Sequence, residues 1–290
     1  MPRHFLTGDE LTGEELARLL TRAQELKADR SASDALAGKS VAIVFERPST
    51  RTRVSFEVGI GELGGHAVVL RADETQLSRG ESPRDFAQVL SGYVSAIGLR
   101  TGPHAMLEEI AAHAQVPVFN MLTATHHPCQ ALADLLTLKE RFGSLENLRV
   151  AYVGDGNNVA RSLMLLGAKA SVEVVVATPA ELAPEPAGGA ALTTDPVEAA
   201  TGAHAVYTDV WFSMGDEGAE RKRELLAPYR LDEALLAAAR DDAVALHCLP
   251  AHPGEEITEA VLYGERSAAW DQAENRLHAQ KALLEWMIAQ

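Results

Sequence analysis

The sequence predicts an α/β protein with room for one large or two medium domains, on three observations. Short apolar runs rich in Val and Ile alternate with stretches whose apolar residues fall at helical spacing. The strand, helix, strand rhythm of residues 40–70 starts afresh at Leu148. A chain of 290 residues is long enough for each of two such units to bury its own core.

The elements follow in order. Thr12 and Glu15 make a capping box ahead of Leu16, Leu19, Leu20, Ala23 and Leu26, which predicts an amphipathic helix running to about Asp29. Residues 40–46 read as a buried strand, Ser49 opens a helical pattern, and Gly64-Gly65 turns into a strand over 67–70. Residues 74–83 are polar and glycine-broken, an exposed loop before a helix over 84–93 and a strand over 96–100. A strand over 116–121 precedes a helix over 131–141, with Pro128 suited to its first turn. The second unit reads as a strand (150–153), a turn (154–158), a helix (159–167) and a strand (172–177). A Pro-, Ala- and Gly-rich segment over 178–190 has no helical pattern, strands follow at 206–210 and 243–246, and a terminal helix starting at 270 reaches Ile288.

Charge and cysteine content narrow the partners. Lys and Arg number 26 against 41 Asp and Glu, a net charge of -15, which disfavours nucleic acid and anionic membranes. An anionic ligand therefore needs locally gathered arginines. The two cysteines, Cys129 and Cys248, make no disulfide framework and fit a reducing compartment. The first ten residues lack the apolar core of a signal peptide, and no apolar run approaches the roughly 20 residues of a membrane span. A soluble, cytoplasmic protein is expected.

The chemistry gathers at strand ends. Ser49-Thr50-Arg51-Thr52-Arg53 joins a favoured N-cap, a helix N-terminus and two guanidiniums, the makings of an anion trap; the same spacing also fits a capped helix with two solvated arginines. Arg100 ends a strand whose carboxyl edge faces the ligand crevice of an open parallel sheet, or is a surface arginine. His127 and Gln130 stand at the head of a helix, where they can polarise a carbonyl or merely cap. Gly154-Asp155-Gly156-Asn157-Asn158 fails the dinucleotide fingerprint because Val159 occupies the third glycine position, which argues against a nicotinamide cofactor and leaves the asparagines to bind a small polar ligand. Asp209 and Ser213 leave one strand together, a carboxylate and a hydroxyl suited to holding an amine, while Cys248 leaves another as either a ligand-facing thiol or, as free cysteines more often are, an ordinary small buried residue. His126, His127 and Cys129 with His247, Cys248 and His252 also permit a metal hydrolase, and the arginines alone a non-catalytic anion-binding protein.

Over nearly the whole chain these segments resemble the aspartate/ornithine carbamoyltransferase superfamily, and its ornithine-using branch in particular. FERPSTRTRVSFE (45–57) and HPCQALAD (127–134) carry the superfamily likeness; DVWFSMG (209–215) and HCLPAHPGEEI (247–257) carry the amino-acid part. The resemblance implies two α/β domains, each a mainly parallel sheet flanked by helices, with the C-terminal helix returning to the first domain. Residues 1–122 plus 271–290 would bind carbamoyl phosphate and 124–270 would bind ornithine. It implies transfer of a carbamoyl group from carbamoyl phosphate to the side-chain amine of L-ornithine, giving L-citrulline and phosphate, with no metal or organic cofactor. Carbamoyl phosphate would sit on Ser49, Thr50, Arg51, Thr52, Arg100, His127, Gln130 and Arg276, with Cys248 and Leu249 facing the reacting groups. Asn158, Asp209, Ser213 and Met214 would hold ornithine; Arg100, His127, Asp209 and Cys248 would be catalytic. The family's trimers, or multiples of them, share sites between subunits, and Gln76 matches the loop that enters from a neighbour.

Overall fold

The computed structural model describes residues 2–212 and 219–288, and the chain divides into two compact units, Met1–Ala133 with Asn275–Gln290 and Asp134–Glu274. Residues 124–133 thus belong to the first unit and 271–274 to the second.

Unit 1 opens on α1 (Gly13–Ala28), where Thr12 Oγ1 accepts from the Glu15 N–H at 3.1 Å and Glu15 returns the bond to the Thr12 N–H at 3.0 Å. Then come β1 (Ser40–Phe45), α2 (Thr50–Glu62), β2 (His66–Arg71), α3 (Pro83–Ser91), β3 (Ala96–Arg100), α4 (His104–His113), β4 (Val118–Leu122) and the start of α5 (Pro128–Phe142), which belongs to unit 2 from Asp134 onward. The polar stretch expected as a loop folds into two short 3₁₀ turns, Ala72–Glu74 and Gln76–Arg79. Helix α4 lies in a stretch with no assigned element: its N-cap, Pro103, provides no side-chain cap, and it buries only Leu107, Ile110 and Ala111.

Among the described residues the four strands lie in the order β2-β1-β3-β4, every pair parallel. The chain leaves β1 for β2 on one side and returns to β3 on the other, so β1 and β3 flank the point where the winding reverses. That is where open α/β sheets bind ligands, at the carboxyl ends of the strands. The register pairs Phe45 with Arg100, and the Glu46 N–H donates to the Arg100 carbonyl at 2.9 Å. Arg100 is thereby fixed beside the segment that leads into α2. In β3, Gly98 leaves space for the Phe119 ring; a Cβ there would fall 2.4 Å from that ring.

Unit 2 contains β5 (Arg149–Val153), α6 (Asn158–Lys169), β6 (Glu173–Ala177), β7 (Ala191–Thr193), α7 (Pro196–Ala200), β8 (Ala205–Thr208), α8 (Ala219–Leu226), α9 (Glu233–Ala238), β9 (Val244–His247) and α10 (Glu259–Leu262). Its five parallel strands run β7-β6-β5-β8-β9 among the described residues, which puts the reversal between β5 and β8. The 178–190 segment has one 3₁₀ turn, Ala180–Leu182, and no α-helix, as its composition indicates.

The terminal helix α11 (Ala269–Ile288) begins in unit 2 and belongs to unit 1 from Asn275 onward. There it packs on α2 at Gly59, where an added Cβ would lie 3.2 Å from Lys281 Cγ. The buried Lys281 ammonium donates to Glu62 Oε2 at 2.8 Å and to the Arg30 carbonyl at 2.7 Å. This close crossing aligns Arg276 with the first turn of α2. No helix among the described residues is long and apolar enough to cross a membrane.

Candidate active site

In unit 1 the β1 exit leads through Ser49 into the N-terminus of α2. Ser49 is extended, with φ -158°, and its Oγ accepts from the Thr52 N–H at 3.3 Å, the N-cap arrangement that opens α2. The remaining first-turn N–H groups have no partner within the helix and carry its partial positive charge. Two guanidiniums from distant elements meet at the same turn. Arg276 donates to Thr52 Oγ1 at 2.8 Å and to Gln130 Oε1 at 3.1 Å, and Arg100 donates to Thr52 Oγ1 at 3.4 Å. Thr52, His127, Gln130 and Arg276 are all buried.

The two arginines of the 49–53 run part company. Arg51 lies close enough to His127 to act on its charge state. Arg53 is exposed, pairs with Glu57 at 3.1 Å and lines, with Ser49 and Thr50, a cavity of about 480 Å³ beside the turn. Gln76 stands exposed on its 3₁₀ turn.

His127 is placed by the loop before α5. The Thr123 N–H donates to the His126 carbonyl at 2.8 Å, the His126 N–H donates to Thr123 Oγ1 at 3.2 Å, and Pro128 begins the helix. Burial, reinforced by the charges of Arg276, Arg100 and Arg51, holds the His127 pKa well below the ordinary imidazole range. The ring is therefore neutral at physiological pH, a donor that brings no charge of its own. The linkage has a definite sign: an unfolded chain takes up a proton near pH 6.5 that folded His127 refuses, so stability is full above that pH and falls as pH drops below it. Urea unfolding at pH 7.5 and 5.5 is expected to show the loss, with a smaller loss in His127→Gln; an equal loss in both proteins would remove His127 as a cause.

In unit 2 the strand register does the placing. Thr208 pairs with His247, so the next residues, Asp209 and Cys248, leave the sheet side by side. The Cys248 thiol donates to Asp209 Oδ1 at 2.6 Å. Beyond β5, Gly154 has φ +129° and the chain enters α6 through Asn157. Asn158 follows, half-buried in the first turn of the helix. Leu249 adopts φ +57°, its N–H donates to His247 Nδ1 at 2.8 Å, and its side chain packs on the core of the unit. Ser213 and Met214 lie outside the described residues.

The histidines and cysteines of the metal-hydrolase reading fall into two groups, one in each unit. Three of them, His126, His127 and Cys129, belong to unit 1 and the other three to unit 2. Cys129 is buried, donates to the Asn120 carbonyl at 3.2 Å, and has its thiol pushed up to about 12 by burial, which disfavours the thiolate a metal takes. In unit 2 the potential ligand atoms of Asp209, His247 and Cys248 come within 4.8 Å of one another. His247, however, accepts at Nδ1 from Leu249 and meets Glu256 through Nε2 at 3.1 Å, so both ring nitrogens are engaged by protein. The orienting contacts thus fix a loop around Cys248.

Each parallel sheet carries its candidate side chains at the carboxyl ends of strands, arginines in unit 1 and a carboxylate and a thiol in unit 2. Residues 3–140 match the aspartate/ornithine carbamoyltransferase carbamoyl-P binding domain and 146–287 match the Asp/Orn binding domain. The chain belongs to the aspartate/ornithine carbamoyltransferase family. The ornithine carbamoyltransferase of Acidothermus cellulolyticus is 54% identical over 303 residues, covering 99% of this chain and 97% of that protein. The solved ornithine carbamoyltransferase of Pyrococcus furiosus superposes with a TM-score of 0.94 at 45% identity, covering 99% of this chain and 97% of that one. The Thermus thermophilus enzyme gives 0.93 at 45% identity, with 99% of each chain covered.

Proposed function

We propose that this protein transfers the carbamoyl group of carbamoyl phosphate to the side-chain amine of L-ornithine, giving L-citrulline and phosphate. The observation that carries the reading is the unit 1 cluster, in which Arg276 and Arg100 converge on Thr52 at a helix N-terminus near a neutral His127. Phosphate is the anion such a turn favours. Ser49, Thr50, Arg51 and Thr52 hold it, and Arg100 is shared between phosphate and carbonyl. His127 and Gln130 take the carbamoyl end.

The neutral amine attacks the carbonyl carbon, the carbonyl oxygen gains negative charge, and the C–O bond to phosphate breaks as phosphate leaves with the bonding pair and takes up the proton that the attacking nitrogen gives up. Arg100, His127 and Thr52 are preorganised donors for that oxygen, where one such donor is worth about 2.7–4 kcal/mol. A neutral His127 has one ring N–H to donate to that oxygen. Ornithine arrives mainly as a cation, so its amine sheds a proton before attack. In unit 2, Asp209 and Cys248 orient that amine and favour its reactive form, Leu249 faces the reacting carbonyl, Asn158 takes the ornithine carboxylate, and Asp209 with Ser213 and Met214 takes the α-amino end. The steps as written call on no metal or organic cofactor.

The test is citrulline and phosphate release from carbamoyl phosphate with L-ornithine, N-acetylornithine, putrescine and L-aspartate offered side by side. Equal citrulline and phosphate with ornithine alone is the expected result. Preference for another amine would overturn the assignment of residues 209–215; reaction with none would overturn the function.

The same reading makes the protein a cytoplasmic homotrimer, or a multiple of one, with Gln76 of each copy completing a neighbour's carbamoyl phosphate site. Exposure of Gln76 on a short turn supports this. Sedimentation is expected to give a trimer-based mass, and Gln76→Ala a raised KM for carbamoyl phosphate. A fully active monomer would end the shared-site proposal.

A further inference from the structure

We infer that Asn157 is a positioning residue for the reaction, one that aims the Asp209 carboxylate; the inference rests on the function proposed above. The Asn157 side chain divides its two ends between two tasks. Its carbonyl oxygen caps α6, accepting from the Val159 N–H at 2.9 Å and the Ala160 N–H at 3.2 Å, and it also accepts from the Tyr152 hydroxyl at 3.1 Å. Three donors on the oxygen leave only one sensible orientation for the amide, since backbone N–H groups cannot donate to an NH₂. The Nδ2 end must then point the other way, and it donates to Asp209 Oδ2 at 2.8 Å.

Asp209 is held from both sides as a result. Oδ2 takes the Asn157 amide and Oδ1 takes the Cys248 thiol, so the carboxylate plane is set by one residue of the α6 cap and one residue of the β9 exit. Tyr152 closes the arrangement from behind. It is a fully buried residue of β5, opposite Tyr207 of β8 in the sheet, and burial together with the nearby charges of Asp209, Asp155 and Cys248 keeps its hydroxyl protonated, hence a dependable donor. The chain of hydrogen bonds runs Tyr152 to Asn157 to Asp209, from a residue within β5 to the N-cap of α6 to the residue that follows β8. Rigid support of this kind is what holds a reacting carboxylate to within a fraction of an ångström.

Asn157→Ser separates the two tasks, because serine is as good an N-cap as asparagine but has no amide to reach Asp209. With carbamoyl phosphate and L-ornithine, kcat/KM for ornithine is expected to fall at least about tenfold while KM for carbamoyl phosphate and the thermal midpoint stay near the parent values. A second readout needs no turnover. A carboxylate fixed against the thiol disfavours the thiolate, so releasing it is expected to speed iodoacetamide alkylation of Cys248, followed by peptide mass spectrometry to separate it from Cys129, about threefold or more at pH 7.5. Asn157→Asp also keeps the cap but sets a second carboxylate against Asp209; its turnover relative to the parent is expected to rise as pH falls, because a proton shared between the two restores a donor. Parental kcat/KM or a parental alkylation rate in Asn157→Ser, or a flat activity ratio in Asn157→Asp, overturns the inference. A parent enzyme that ignores ornithine while Asn157→Ser alkylates faster would instead sink the proposed function and leave the positioning role standing.

Discussion

Arg276→Met is expected to lower kcat by about 100- to 1,000-fold, the scale of losing one preorganised donor to a developing oxyanion or leaving phosphate. The side chain is buried and its two terminal nitrogens reach Thr52 and Gln130, residues from α2 and α5 that share no local sequence with it. Methionine fills a similar volume without charge, and because the change leaves Thr52 and Gln130 without this donor, the urea melt separates a lost function from a weakened fold. KM for carbamoyl phosphate is expected to rise while KM for ornithine moves little. Arg276→Lys keeps the charge but cannot span both acceptors with a planar fork, so it should fall between Met and the parent. Removing Arg276 also takes away the strongest of the charges that depress His127 after burial itself, so the acid lability described above is expected to shrink in the same variant. Steady-state kinetics with each substrate varied in turn, alongside a urea melt, tests all of this; parental kcat in Arg276→Met would remove the guanidinium from the mechanism.

Local chemistry was legible in the sequence and adjacency was not. The run from Ser49 to Arg53 displays its own logic, because an N-cap, a helix start and the donors beside it all fall within five residues, and α2 begins where that pattern says. The capping box of Thr12 and Glu15 is legible for the same reason. By contrast, nothing within residues 205–210 or 243–248 shows that Thr208 lies opposite His247, and that pairing is what brings the Cys248 thiol to the Asp209 carboxylate. Arg276 stands 224 positions from Thr52 and reached the site in the sequence reading only through family likeness. The two asparagines mark a subtler limit. The turn composition offers both to a ligand, while the structure gives Asn157 to the helix cap and to Asp209. Helices α7, α9 and α10 run only four to six residues, too short for an apolar period to declare itself, and they form because tertiary packing overrides weak local signals.

Asp209→Asn is expected to cost about 100- to 10,000-fold in kcat/KM for ornithine, the range of a lost acid–base group. The change is nearly isosteric, yet an amide has one acceptor oxygen where the carboxylate has two, so it cannot accept from both Asn157 and Cys248 as the present geometry does. It also removes the negative charge that meets the incoming ornithine cation. Cys248→Ala is expected to cost less, because the thiol reaches the chemistry partly by fixing Asp209; retention of full kcat would exclude it. The decisive comparison is the double variant. If the thiol acts through the carboxylate, Asp209→Asn with Cys248→Ala should be scarcely worse than Asp209→Asn alone, since groups that work as a unit lose their contribution together. Losses that simply multiply would mean that the two side chains act on ornithine independently and that their hydrogen bond belongs to the resting enzyme. KM for carbamoyl phosphate is the internal control: both substitutions lie in the unit matched to amino-acid binding, so a large rise there would point to a disturbed fold in place of a disturbed amine.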